Sequence, residues 1–332
     1  MLEKDSERGK AKALMKARNV IRKIGADLLQ YMIILIGVTL ISFFILHLAP
    51  GNPAEIWLIG TDGHAGQVSE EAIAAQEEKM GLDDPFIVQY GRWLGRVLQG
   101  DLGESMTTRQ PVAEEIAEHL IPTIELSLLS LAVTMAIALP LGVYCAVHKD
   151  KLLDNIVRGF SFLGISLPSF FVSLVLLWLF CLKLNWFPII AKGGIEGMIL
   201  PMCVFVIQCV SKLVRQIRAL VLEEMQQGYV KGAVARGVDQ KTILFSHVLK
   251  NCTIPILSLV SVYLGILLGG AAVVETIFSF EGIGKLAVEA VSRLDYYTIQ
   301  GIVLWVAVLF LAINFVIDAI SAAIDPRIKG SR

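Results

Sequence analysis

No stretch of the chain assembles the groups that covalent or hydrolytic chemistry requires. Five histidines (His47, His64, His119, His148 and His247) are scattered, and none has a nucleophile and an orienting acid at a suggestive spacing. They read as surface or interfacial residues. Five cysteines (Cys145, Cys181, Cys203, Cys209 and Cys252) lie in apolar runs or at their edges, with none between Ala49 and Thr123. That pattern is neither a disulfide framework nor a metal-ligand set, so no metal site is expected. Gly282-Ile283-Gly284-Lys285 contains a Gly-Lys pair but lacks the Gly-x4-Gly-Lys-Ser/Thr cradle for nucleotide phosphates. Glu125, Glu275 and Asp318 flank apolar runs, where carboxylates commonly cap or anchor helices. For Glu275 two readings stand: a structural cap, or a functional ionisable group.

The elements around these residues are membrane helices. The chain has 332 residues, 55% hydrophobic and 18% charged, with mean hydropathy +0.67. A soluble domain carries about a quarter charged residues. Net charge is −1, so no basic field points to nucleic acid. Leu28–Leu46, Leu126–Val147, Gly159–Leu182, Asn251–Val274 and Tyr296–Ile317 contain no Asp, Glu, Lys or Arg. Each is close to the roughly 20 residues a helix needs to span hydrocarbon, and Gly197–Ser211 is a shorter sixth run. The first run is longer than a signal-peptide core and no small-x-small cleavage site follows it, so it reads as a retained span.

Orientation follows from the cations. Twenty-one of the 29 Lys and Arg fall in the N-terminal tail, the second-to-third and fourth-to-fifth connections and the C-terminal tail. By the positive-inside rule these are cytoplasmic. The expected fold is an all-α membrane protein with six transmembrane helices and both termini cytoplasmic. The parts are a basic tail 1–26, spans at 27–47, 124–148, 157–183, 195–213, 252–275 and 296–318, an extracytoplasmic helical element 48–123, a cytoplasmic loop 214–251, an outer loop 276–295 and a tail 319–332. Inside the outer element, Ser69-Glu70-Glu71 starts a helix that Gly81 stops, Asp84-Pro85 opens a second, and Pro111 a third. It is either a packed lid or a docking face. Pro140 and Pro168 should kink their runs or free a carbonyl. Gly265, Gly269 and Gly270, with Ala271 and Ala272, make a small-residue face that either packs or lines a pathway.

The cytoplasmic insert Glu223–Pro255 is the most informative stretch. Glu223–Arg236 is helix-compatible, Gly237 is a natural stop, Asp239 caps a second helix over Gln240–Asn251, and Pro255 falls in the first turns of the fifth span. A helix–turn–helix this small needs a partner on its far side.

Tyr229-Val230-Lys231-Gly232-Ala233-Val234-Ala235-Arg236-Gly237, followed by His247-Val248-Leu249-Lys250-Asn251, resembles the "EAA" loop of ABC importer permeases, most closely the dipeptide/oligopeptide/nickel branch. The Glu and the final Pro of the general motif are absent, as is typical of that branch. Gly100-Asp101-Leu102-Gly103, Pro122-Thr123-Ile124-Glu125-Leu126, Ser166-Leu167-Pro168-Ser169-Phe170, Val274-Glu275-Thr276-Ile277-Phe278 and Asp325-Pro326-Arg327 are similar to segments of the same branch, in order. Glu281 departs from it, standing where these permeases often have Pro. The resemblance implies a type I ABC importer permease fold in the bacterial cytoplasmic (inner) membrane. It implies partners: a second homologous permease, two cytoplasmic ABC ATPases and an extracytoplasmic substrate-binding protein. ATP and Mg would belong to the ATPases, with no cofactor bound by this chain. It assigns ATPase coupling to Tyr229, Lys231, Gly232, Ala233, Arg236, Gly237, Asp239, His247 and Leu249. Pathway candidates are Ser261, Gly265, Gly269, Gly270 and Glu275. Cargo would be small peptides or nickel and metal chelates. For free nickel, His47 or His64 would be the residues to test.

Two other classes fit less well. A self-contained secondary carrier or channel would favour paired inverted repeats and charge near the midplane. An intramembrane enzyme would need paired carboxylates, a Ser/Lys pair or clustered histidines within spans. The charge-free runs supply neither.

Overall fold

Apolar runs in hydrocarbon must satisfy their own backbone hydrogen bonds, and this chain does so as helices. The computed structural model describes residue 25 and residues 28–60, 68–189, 194–270 and 272–324. The rest of the basic tail 1–26, His64, Gly193 and 325–332, with Asp325-Pro326-Arg327, lie outside the described residues. Among the described residues there is no strand, only an isolated bridge between Glu104 and Pro111.

The helices are α1 (Leu28–Leu48), α2 (Pro53–Ile59), α3 (Glu70–Met80), α4 (Phe86–Leu98), α5 (Val112–Val147), α6 (Leu152–Ser166), α7 (Ser169–Leu176), α8 (Gly194–Met225), α9 (Gly228–Ala235), α10 (Gln240–Thr242), α11 (Leu249–Gly270), α12 (Ala272–Ile277), α13 (Ile283–Ser292) and α14 (Tyr296–Ile324). Five helices are long and apolar enough to cross a membrane. A sixth crossing results if the bent pair α6–α7 is one span.

That pair is broken rather than kinked. Its two halves lie at 99°. Leu167 is extended at φ −87°, ψ 124°, because the ring of Pro168 pushes the preceding residue out of the helical region. The freed Leu167 carbonyl accepts a hydrogen bond from Gln208 Nε2 of α8 at 2.8 Å. Beyond α7 the chain continues as a π-helical stretch, Leu177–Lys183.

The helices outlast the bilayer. At about 1.5 Å per residue, the 36 residues of α5 exceed a hydrocarbon core of about 30 Å. Pro111 therefore opens α5 itself rather than a separate third helix, and the helix runs on through Pro122 and Pro140. α8, with 32 residues, likewise carries Lys212, Arg215, Arg218, Glu223 and Glu224 on a helical extension of its apolar part. α5 and α8 run parallel and pack closely. A Cβ on Gly142 would lie 2.9 Å from Ile217 and 3.1 Å from the Val214 carbonyl. Their overhangs thus project from opposite ends of the bundle. α6 is tied to α8 as well: Arg218 Nε and Nη2 donate to the two oxygens of buried Asp154, at 2.7 and 2.8 Å.

The main core joins α5, α8, α9, α11 and α12 through Leu126, Val204, Leu213, Ile217, Val230, Val248 and Val274. A second core sits at the other overhang, where Val112, Ile116, Leu102, Ile283, Leu286 and Ile302 meet. At that end α1 docks on α4 through Phe43, which packs edge-on against Phe86 and Tyr90, and through a 2.9 Å hydrogen bond between the Thr39 and Tyr90 hydroxyls. The polar element around it is capped as its residue types imply. The Ser69 hydroxyl accepts from Ala72 N–H, Gly81 is left-handed at φ 67°, and Pro85 precedes α4.

Candidate functional site

At the α8 overhang the chain doubles back on itself. α8 ends at Met225, Gln227 is extended, and α9 begins at Gly228, so Glu223–Arg236 is two helices rather than one. A polar clasp holds the fold-back. Tyr229 donates its hydroxyl to Glu224 Oε1 at 2.7 Å, and Asn251 Nδ2 donates to the same oxygen at 2.9 Å and to the Tyr229 oxygen at 3.2 Å. Burial, reinforced by the Glu224 carboxylate, pushes the Tyr229 phenol up to about 12. It stays a donor at neutral pH.

α9 presents two faces. Val230 and Ala233 are buried in the main core, while Lys231, Val234 and Arg236 are exposed and Gly232 is half-buried. The helix closes with Gly237 at φ 78°, Val238 N–H bonding the Ala233 carbonyl and Gly237 N–H the Val234 carbonyl. These are the paired bonds of a glycine C-cap. Nothing lies within 4 Å of where a Gly237 Cβ would stand. Two residues on, the Asp239 carboxylate accepts from Lys241 and Thr242 N–H and starts the next helix. That helix does not end near Asn251. It passes through a π-helical turn, Ile243–Val248, into α11. Pro255 is therefore interior to a continuous helix. His247 is exposed and Leu249 is half-buried against the core.

The segment thus forms a short exposed helix, α9, braced on the ends of two membrane-length helices.

The small-residue face of α11 divides. Ser261 is buried and donates to Asn314 Oδ1 of α14 at 2.7 Å. A Cβ on Gly265 would lie 2.7 Å from the Phe310 ring. Both therefore pack against α14. Gly269 has nothing within 4 Å, and Gly270 ends the helix. The exposed stripe runs through Pro255, Ser258, Val262, Ile266 and Gly269. Sequence reasoning selected only Gly269 from it. The three-to-four-residue spacing was present, but an apolar run has no polar face to mark it.

Glu275 is fully buried, away from that stripe. Its Oε1 accepts from the Thr123 hydroxyl at 2.8 Å and its Oε2 from Lys285 N–H at 2.9 Å. The Thr123 oxygen accepts from Ile283 N–H at 2.8 Å. Two of the unpaired amides that open α13 are thereby satisfied. Gly282 and Gly284 make room, since a Cβ on either would collide with the Glu275 carboxylate. Glu281, in the adjoining turn, is exposed and pairs with Lys285 Nζ at 2.7 Å. His47 packs edge-on against Phe86, and among the described residues no three His, Cys, Asp or Glu side chains cluster as metal ligands.

A bundle of membrane-length helices with a braced cap at one end and a folded polar element at the other defines a multi-pass membrane protein. The chain belongs to the family of binding-protein-dependent transport system inner membrane components. The family profile matches residues 138–330, and the profile of its N-terminal region matches residues 17–127. The chain is 35% identical to the dipeptide transport system permease protein DppB of Alkalihalophilus pseudofirmus, covering 89% of this chain and 96% of that protein. It is 34% identical to the glutathione transport system permease protein GsiC of Salmonella paratyphi A, covering 89% and 94%. A chain of the MetNI methionine ABC transporter, in an inward-facing conformation, matches with TM-score 0.52 at 15% identity over 63% of this chain and 96% of its own length. That likeness is one of fold. The protein is a permease component of an ABC importer, a multi-pass inner-membrane protein and not itself a catalyst.

Proposed function

We propose that this chain forms half of a translocation pathway for small peptides, with nickel or metal chelates as the competing cargo. The full-length similarity to a dipeptide permease carries the cargo reading. The chain crosses the membrane six times with both termini in the cytoplasm, a topology supported by the segregation of twenty-one of 29 Lys and Arg. α9 then faces the cytoplasm. A second, homologous permease completes the pathway, two ATPases that hold the ATP and Mg dock on the α9 surfaces, and an extracytoplasmic binding protein delivers cargo to the α3–α4 end. Exposed Lys231, Val234, Arg236 and Gly237 meet the ATPase, and closure of the ATPases moves α9, α8 and α11 as one body. The exposed stripe of α11 lines the pathway.

The test is reconstitution in proteoliposomes with the partner permease, ATPases and binding protein. Uptake of a labelled dipeptide that requires ATP and every partner is the expected result. Uptake by this chain alone, without ATP, would make it a secondary carrier. Saturable uptake of nickel in place of dipeptide would reassign the cargo.

A further inference from the structure

At the α3–α4 end, a cavity of about 90 Å³ opens between the end of α1, α4 and the first turns of α14. Three polar groups on its wall have no partner among the described residues. The hydroxyl of Tyr296 and the carboxamide oxygen of Gln300 are buried without a hydrogen bond, on side chains 7% and 6% exposed. The Nε of Arg96 is likewise buried and unpartnered, and its guanidinium stands 5.5 Å from the Tyr297 ring centroid with no carboxylate in salt-bridge range. By contrast Arg92, one helical turn earlier, is paired with Asp84. The rest of the wall has an apolar side, formed by Phe43 and Leu46 of α1 with Met80, Leu82 and Met106, and a polar side that includes His47, Gln89 and Arg92.

Buried polar groups left without partners are costly, so native proteins rarely keep three of them around one space. Water answers such a need where only dipoles converge. Here one member is a permanent cation with several N–H donors, another is a phenol O–H, and the third is a carboxamide able to turn its NH2 inward. Two or three donors around a cation fit an oxyanion. The apolar side of the wall fits a hydrocarbon body attached to it. α1 is largely exposed, with Leu28, Ile33, Ile41, Phe44 and Ile45 all more than half accessible or nearly so, which leaves that body a route along a lipid-facing helix.

We propose that this cleft binds the phosphate or carboxylate head of an anionic amphiphile, held by Arg96, Tyr296 and Gln300. The site pins the end of α1 to α4 and α14, and it stands apart from the α11 stripe, so its failure would leave the transport reading untouched.

The test uses the full chain in nanodiscs. Thermal unfolding and native mass spectrometry are compared in phosphatidylcholine alone, with added phosphatidylglycerol, with inorganic phosphate and with butyrate. Wild type should be stabilised and retain bound phosphatidylglycerol if the head belongs to a lipid. Stabilisation by phosphate or butyrate alone would assign a soluble oxyanion to the same site. In either case Arg96→Met and Tyr296→Phe should weaken binding at least tenfold, while Arg158→Met, which lies outside the cleft, should not. Should Arg96→Met fail to fold, Tyr296→Phe, which removes one oxygen, carries the test. Equal response of wild type and Tyr296→Phe to every anion, or no response in wild type, would leave only water in the cleft and overturn the proposal.

Discussion

The Thr123 hydroxyl and the Glu275 carboxylate are joined at 2.8 Å, across 152 residues of chain. This bond ties α5 to the α12–α13 turn, with both oxygens of Glu275 used to satisfy donors in a space where Gly282 and Gly284 leave no slack. Glu275→Ala would strand the Thr123 hydroxyl and the Lys285 amide in a cavity, at a cost of about 2–4 kcal/mol. Thermal unfolding in detergent should record it as one of the larger single-site losses; a change under about 0.5 kcal/mol would remove Glu275 from this structural role.

Asp154 and Arg218 form a bidentate pair in the main bundle, Asp154 fully buried and Arg218 15% exposed. Breaking a buried pair from one side leaves an uncompensated charge, about 3–5 kcal/mol, whereas replacing both partners by apolar groups is often nearly neutral. Asp154→Ala should therefore lower stability sharply, and Asp154→Leu combined with Arg218→Met should recover most of it. A double variant as unstable as the sum of its singles would show the pair does not act as a unit.

These relationships differ in how far the sequence announces them. Membrane class and family are legible because charge exclusion over about 20 residues has one physical reading, and the Tyr229–Gly237 and His247–Asn251 motifs have one resemblance. Ser69, Gly81 and Asp239 announce their caps because their side chains, or the lack of one, complete the local geometry. Helix ends are not legible where charge marks the bilayer's edge and the helix continues past it. α8 runs to Met225 and α5 begins at Val112 for this reason. That Pro168 frees a carbonyl is legible, but that Gln208, forty-one residues away, donates to it is not. Asp154–Arg218 is likewise a long-range pairing that no local pattern encodes.

Gly237 tests the coupling surface. Its φ of 78° is strained for any other residue, and the open space beyond it is where a partner would approach. Gly237→Ala should cost about 1 kcal/mol in stability with the ATPase still bound. Gly237→Trp should remain in the membrane but lose co-purification of the ATPases. Undiminished co-purification with the tryptophan variant would move the docking surface elsewhere.

Two glycines one helical turn apart on α11 should respond in opposite ways. A methyl at Gly265 meets the Phe310 ring at 2.7 Å, so α11 and α14 approach as closely as they do only because that position has no side chain. Gly265→Ala forces the ring or the helix aside, a repacking cost of about 1–3 kcal/mol. Phe310→Leu in the same chain should relieve part of it. Gly269 has nothing within 4 Å, so Gly269→Ala should leave thermal stability unchanged or raise it slightly, since alanine is the better helix former. Gly269→Trp should spare stability too, yet slow reconstituted peptide uptake if the exposed stripe borders the pathway. The measurements are unfolding temperature and initial uptake rate on the same four variants. Normal uptake by Gly269→Trp would take the pathway off this face of α11, and loss of stability in Gly269→Ala to match Gly265→Ala would mean the open side is covered by packing instead.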